Sequence, residues 1–211
     1  GGAYSIPKSF LQESESIQVD VVEIEPSLFS LAKKYFNLPE TGRLKNYVQD
    51  GRQFLKKSSG NYDVIVSDVY YSFYSIPPNF VTQEFFALAK DSLSENSVFI
   101  GNFIGSLEPT MPSFILSEIK TFKEVFDNSY FFAVNSPDVP YAQNIIFLGI
   151  NGPKKIDFES KEMAESENSL MQGLAGKNIN VADYDFSSHR ILTDDYAPVE
   201  YLASKIIHNR Q

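Results

Sequence analysis

Three carboxylates stand at the tips of three successive expected strands: Glu23 after Val19-Asp20-Val21-Val22, Asp50 just beyond Val48, and Asp68 after Val64-Ile65-Val66-Ser67. In an open α/β sheet, ligands sit in the crevice beyond the carboxyl ends of the strands, so residues at those tips are the first candidates for chemistry. A carboxylate there, roughly 20 residues after a glycine-rich turn, can accept both hydroxyls of a ribose. Gly1-Gly2 opens the chain, and Glu23 lies at about that spacing. Asp50, before Gly51, fits an acceptor for an exocyclic amine of adenine and fits a turn or cap residue equally well. Asp68 would then face whatever reacts. Glu23 and Glu25 could instead be ordinary acidic residues near a helix start, which suits Glu25, directly before Pro26, better than Glu23, still in register with the strand. Taken together, the three tips should line one crevice, a nucleoside pocket without basic phosphate-binding residues.

The elements that must position these groups follow from periodicity. Residues 17–24 read as a buried strand, and 26–36 as a helix with Leu28, Leu31, Ala32 and Tyr35 on one stripe. Asn37-Leu38-Pro39 stops that helix. Residues 44–48 form a short strand, followed at once by Asp50-Gly51-Arg52 and a brief helix. Residues 62–66 are a second buried strand ending at Ser67-Asp68. After an aromatic stretch, Thr82 is placed to cap a helix over 85–93. Residues 97–103 make another strand, 112–126 an amphipathic helix, and 129–134 with 144–149 an antiparallel pair at the sheet's end. Alternating strands and helices indicate βαβ units and a mostly parallel sheet. Beyond Asn151-Gly152-Pro153 the composition turns charged and Ser-rich, with one surface helix expected over 159–174. The division expected is a domain over 1–150 and a helical appendage over 151–211.

Composition removes several functions. The 211 residues are 43% hydrophobic and 14% aromatic, enough for one substantial core. A net charge of −9, from 18 basic and 27 acidic residues, argues against a phosphate-tracking surface and hence against nucleic acid. It leaves room for a cationic or neutral small substrate. There is no Cys, and His189 and His208 are the two histidines, so no metal site is expected. No apolar run is long enough to span a bilayer, and no signal-peptide pattern is present. The segment is therefore expected to be cytoplasmic, with no membrane contact of its own. No strand precedes the glycines, so either they are an expression scar or the sequence starts inside a motif.

Several stretches, in this order and spacing, resemble the spermidine synthase (polyamine aminopropyltransferase) family. They are Gly1-Gly2-Ala3-Tyr4-Ser5-Ile6-Pro7-Lys8, Val21-Val22-Glu23-Ile24-Glu25-Pro26, Gln49-Asp50-Gly51-Arg52 and Tyr62-Asp63-Val64-Ile65-Val66-Ser67-Asp68. The match continues through Ser75-Ile76-Pro77, Thr82-Gln83-Glu84-Phe85-Phe86 and Asn102-Phe103-Ile104-Gly105-Ser106. The closing Leu192-Thr193-Asp194-Asp195-Tyr196-Ala197-Pro198 looks like the branch often fused to membrane transporter-like segments. This chain would then be the soluble domain of a membrane-attached protein.

The resemblance implies a class I methyltransferase-like Rossmann fold, mostly parallel, with helices on both faces and an antiparallel strand pair at one edge. It implies decarboxylated S-adenosylmethionine as co-substrate, a small diamine as acceptor, methylthioadenosine as product and no metal. Relatives are commonly dimers, so a homodimer fits. Gly1 and Gly2 match the end of the family's glycine loop, Glu23 its ribose-binding acid, and Asp50 with Gly51 its adenine contact. Asp68 matches the first aspartate of the catalytic D-x-x-D loop, whose role is to hold the attacking amine and help deprotonate it.

The second aspartate position is occupied by Tyr71. Tyr70 and Tyr71, with Phe73 and Tyr74, could pack a cation against aromatic faces, or belong to a core or lid. Asp194 or Asp195 could supply an acidic pocket wall, or cap a helix ahead of Tyr196. Two other readings stay open beside aminopropyl transfer: an S-adenosylmethionine-dependent methyltransferase and a non-catalytic nucleoside-binding domain.

Overall fold

A parallel strand pair needs a crossover connection, and each parallel pair here is joined by a helix. A computed structural model describes residues 2–70, 76–108 and 113–201 of the chain. They divide into two compact units, Gly1–Ser58 and Ser59–Gln211. The first unit runs α1 (Ser5–Glu13), β1 (Val19–Glu23), α2 (Ser27–Tyr35), β2 (Leu44–Val48) and α3 (Gly51–Lys57). β1 and β2 pair in parallel with Glu23 opposite Val48, so their carboxyl ends are aligned. Its small core is Tyr4, Val21, Ala32 and Leu38, with Val19, Phe29 and Leu44 packed on it.

That core is smaller than the apolar stripe suggested. Ala32 faces inward, whereas Leu31 and Tyr35 are exposed. α1 was not foreseen, since its residues were read only for the glycine turn before it.

The second unit carries β3 (Tyr62–Ser67), α4 (Gln83–Asp91), β4 (Leu93–Gly105), α5 (Phe114–Lys123), β5 (Asn128–Ala133) and β6 (Gln143–Asn151). The strand order is β3-β4-β6-β5. β3 and β4 are parallel, while β6 lies antiparallel to both β4 and β5. The antiparallel pair thus sits at the sheet's end, as its sequence implied.

Two strands expected to be buried are only partly so. In β1 only Val21 is buried. In β3, Val64 and Val66 are 36% and 37% exposed. Among the described residues each of these strands pairs along one edge, β1 with β2 and β3 with β4, and a strand at the edge of a sheet keeps more of its surface in water.

The core of this unit is aromatic. Phe122 of α5 meets Phe86, Phe99, Phe131 and Phe147 at 5.0–5.9 Å and stacks on Phe126 at 4.6 Å. These rings can lie against β6 because position 149 is glycine: a Cβ there would stand 2.6 Å from Phe126 and 2.7 Å from Phe122.

Past β6, the single helix expected over 159–174 is two short ones, α6 (Lys161–Ala164) and α7 (Ser169–Gln172). The Asn168 side chain caps α7 by accepting the Leu170 N–H, which starts a new helix rather than continuing the old one. The tail is then strapped across α4 and α5. Lys120 donates to the carbonyls of Phe186 and His189, Thr121 Oγ1 accepts the Leu192 N–H, and Gln83 N–H donates to the Leu192 carbonyl. Thr82, the expected cap of α4, accepts the Phe85 N–H and donates its hydroxyl to Asp194. Among the described residues no helix is long and apolar enough to cross a membrane.

Glu118 of α5 is fully buried, and among the described residues neither carboxyl oxygen has a hydrogen-bond partner. Burial pushes its pKa well above the ordinary carboxylate value, so the folded protein keeps the proton. The unfolded chain releases that proton near the ordinary value. Stability is therefore complete below it and declines by about 1.4 kcal/mol per pH unit as pH rises toward the folded pKa.

Glu118→Gln should remove this slope: urea melts should match wild type near about pH 4 and show a more stable variant near about pH 7.5. Gly149→Ala should destabilise by about 1–3 kcal/mol through overpacking against Phe122 and Phe126, read in the same melts.

Candidate active site

In the first unit the glycine turn is built from Gly2 and Tyr4, both left-handed, at φ 47° and 56°. Such a φ costs little for glycine but strains a tyrosine. Tyr4 is held there by complete burial, by its ring against Phe29, and by its hydroxyl, which donates to Asn46 Oδ1 on β2 at 2.5 Å. The space over Gly2 is open, with nothing within 4 Å of where a Cβ would lie. Gly1 lies outside the described residues.

Glu23 ends β1, and its Oε1 accepts the Glu25 N–H at 3.0 Å. Burial pushes its carboxyl up, but hydrogen bonds from the backbone N–H groups of Glu25 and Ile24 help hold it below the usual carboxylate range. Burial also raises the Tyr4 phenol, and the charge on Glu23 raises it further, so the glycine turn and the acid share one electrostatic neighbourhood. Glu25 has a different task. It accepts both the N–H and the hydroxyl of Ser27 and so serves the start of α2.

Asp50 follows β2 and is the N-cap of α3, its Oδ1 accepting the Gln53 N–H at 2.8 Å. Among the described residues its Oδ2 carries no hydrogen bond. The cap reading and the ligand reading are therefore compatible, one oxygen for each. Gly51 is the first residue of α3. Parallel pairing brings Glu23 and Asp50 to the same end of their two-stranded sheet.

In the second unit, Asp68 lies one residue beyond β3, exposed, with Ser67 registered against Gly101 of β4. The next residue of β4, Asn102, donates from Nδ2 to Asp68 Oδ1 at 3.0 Å. The Asn102 Oδ1 accepts from Asn144 Nδ2 of β6, also at 3.0 Å. The Tyr70 hydroxyl donates to the Asn102 carbonyl at 2.9 Å. Burial, with the negative charge of Asp68 adding to it, pushes the Tyr70 phenol far above its ordinary value, so it acts as a fixed donor. Tyr71, Phe73 and Tyr74 lie outside the described residues.

Asn102 and Asn144 were not singled out by sequence reasoning. The available signal was a polar residue interrupting each of two apolar strands. Asp194 is bonded to Thr82 Oγ1 through its carboxylate, and its N–H donates to Glu84, so it fastens the tail to the start of α4. The segment Thr193–Tyr196 is a turn closed by its own bridge, and no helix starts at Tyr196.

A concavity of about 510 Å³ lies elsewhere, lined by Lys90, Asp127, Asn128, Asn151, Gly152 and Lys155. It sits where β4 begins and β6 ends, at the opposite end of the sheet from Asp68. The expected site residues lie instead at the strand tips of their own units, Glu23 and Asp50 in the first and Asp68 in the second.

Residues 11–160 match the family described as the spermine/spermidine synthase domain. A polyamine aminopropyltransferase of Vibrio vulnificus is 25% identical over 211 residues, spanning 95% of this chain and 67% of that protein. The crystal structure of a probable spermidine synthase from Corynebacterium glutamicum superposes with a TM-score of 0.75 at 24% identity, covering 92% of this chain and 70% of that one. Human methyltransferase-like protein 13, solved in complex with SAH, superposes with a TM-score of 0.61 at 25% identity, over 74% of this chain and 71% of its own. The architecture is a methyltransferase-like Rossmann fold with a parallel core and antiparallel strands at its end. Matched by the family over most of its length, the chain belongs to the spermine/spermidine synthase domain family, whose members are transferases.

Proposed function

We propose that the protein transfers an aminopropyl group from decarboxylated S-adenosylmethionine to a small amine, releasing methylthioadenosine. The observation that carries this reading is Asp68: an exposed carboxylate at the tip of β3, tied by one oxygen to Asn102, with Oδ2 unbonded among the described residues. An amine attacks only through a free lone pair, so a group that orients it and takes its proton is what the reaction needs from the protein. The nitrogen lone pair forms the new C–N bond while the C–S bond breaks. The bonding pair leaves on sulfur, turning a sulfonium into a neutral thioether. The surplus proton on nitrogen passes to Asp68 and from that exposed group to water.

The donor fits the acceptors of the first unit. Ribose hydroxyls donate, and Glu23, held ionised by its backbone donors, accepts. The adenine amine donates, and Asp50 offers the oxygen that α3 does not use. The open space over Gly2 lets a ligand approach the backbone closely. A net charge of −9 favours a cationic acceptor in encounter. With Tyr71 at the second aspartate position, that position offers the acceptor's far end no second carboxylate.

A second reading, methyl transfer from S-adenosylmethionine, is favoured by that same Tyr71 and by the likeness to human methyltransferase-like protein 13. Calorimetry of the full-length protein with decarboxylated S-adenosylmethionine, S-adenosylmethionine and methylthioadenosine separates the two. Tighter binding of the first and third supports aminopropyl transfer; tighter binding of S-adenosylmethionine overturns it.

Glu23→Ala should weaken methylthioadenosine binding by about 10- to 100-fold, the loss of hydrogen bonds to a charged acceptor. Normal affinity in that variant would refute the ribose assignment. Asp68→Asn should bind methylthioadenosine as wild type does and lose about 10²–10⁴-fold in turnover, followed as methylthioadenosine release.

A further inference from the structure

We propose that Asn102 is the positioning residue for Asp68: its side-chain amide, locked in orientation by Asn144, holds one oxygen of the carboxylate and turns the other toward the incoming amine. This rests on the reading of Asp68 as the group that receives the amine.

The orientation of the Asn102 amide has one solution. An ionised carboxylate only accepts, so Asn102 must present its NH₂ to Asp68. That leaves its carbonyl for Asn144, whose Nδ2 donates. Reversing the Asn102 amide would set oxygen against oxygen at Asp68 and, with Asn144 as it stands, NH₂ against NH₂. Three groups in a row, donor to acceptor, also polarise one another.

Strand register makes the arrangement possible. Asn102 is registered with Ile146, and Asn144 with Ile104, so the two asparagines are diagonal neighbours across β4 and β6. On one face of an antiparallel pair, that diagonal is within reach of two side-chain amides. Asp68 follows Ser67, the partner of Gly101, and therefore arrives beside Asn102.

The backbone of Asn102 completes the hold. Its carbonyl accepts the Tyr70 hydroxyl, so one residue fastens both ends of Asp68-Val69-Tyr70. Of the two oxygens of Asp68, only Oδ2 is left without a hydrogen bond among the described residues, which is the oxygen the transferred proton requires.

The test compares two substitutions that a purely structural role would rank in the opposite order. Asn102→Asp keeps the shape and the backbone contact with Tyr70 but turns the donor into a second acceptor. Asn102→Ala removes the side chain. Both are measured in the full-length protein by methylthioadenosine release from decarboxylated S-adenosylmethionine with a saturating diamine, beside calorimetric binding of methylthioadenosine.

Positioning predicts that kcat falls by about 100-fold in Asn102→Ala and further in Asn102→Asp, with nucleoside affinity unchanged in both. Asn144→Ala, which removes the lock without touching Asp68, should lose about tenfold at unchanged affinity. If Asn102→Asp turns over as well as Asn102→Ala or better, the positioning role is overturned. Wild-type kcat in Asn102→Ala beside an inactive Asp68→Asn would overturn it while leaving the role of Asp68 intact. Full turnover in Asp68→Asn would sink both.

Discussion

The arrangement of the second unit depends on β4 being held on both edges at once. It pairs in parallel with β3 and antiparallel with β6, and aromatic rings pack against its buried face. Parallel pairing decides where Asp68 emerges, and antiparallel pairing decides that Asn144 is diagonal to Asn102. A one-residue slip on either side would turn the Asn102 side chain to the opposite face of the sheet. The Phe122 cluster opposes such a slip. Phe99 and Phe103 fill places on the buried face that alternate with Asn102, and moving them would open voids in a close-packed interior. The apolar side of the strand thus maintains the polar side.

The acidic residues of the first unit show how position sorts similar side chains into different tasks. Glu23 and Glu25 are two residues apart, and both have lowered pKa values. Glu25 is fully exposed and spends its carboxylate on Ser27 at the start of α2. Glu23 is partly buried and works against that burial through backbone donors, which keeps a charged acceptor at a strand tip at neutral pH. Asp50 divides its two oxygens, one committed to α3. A carboxylate that is also a cap is held in place by the helix it starts, so its remaining oxygen is already oriented before any ligand arrives.

Much of this was legible because the relevant signals are local. The short strand read at 44–48 is observed, and Thr82 before an apolar-periodic segment marked the cap of α4. Strand-tip carboxylates could be picked out because a tip is where an apolar run stops. Burial of β1 and β3 was overestimated, since an apolar composition says nothing of how many neighbours a strand has. The helix expected over 159–174 broke at Asn168, whose side chain competes for the backbone locally. The Asn102–Asn144 contact spans 42 residues and follows from a register that no local pattern encodes. The same is true of Asp194, whose partner Thr82 lies 112 positions earlier. Strand-tip position and family resemblance both pointed to Glu23, Asp50 and Asp68, but neither indicated what holds Asp68 still.

The strap formed by the tail also bears on the order of assembly. During synthesis α4 and α5 leave the ribosome long before Leu192 and Asp194 exist to meet them. Until then the Lys120 ammonium and the hydroxyl proton of Thr82 are left to water, while Thr121 already donates to the Ser117 carbonyl within α5. Contacts of such long sequence separation close late, after local helices and the β5–β6 pair have had time to form. The tail is therefore a closing fastening, whose bonds need α4 and α5 both in place before they can form.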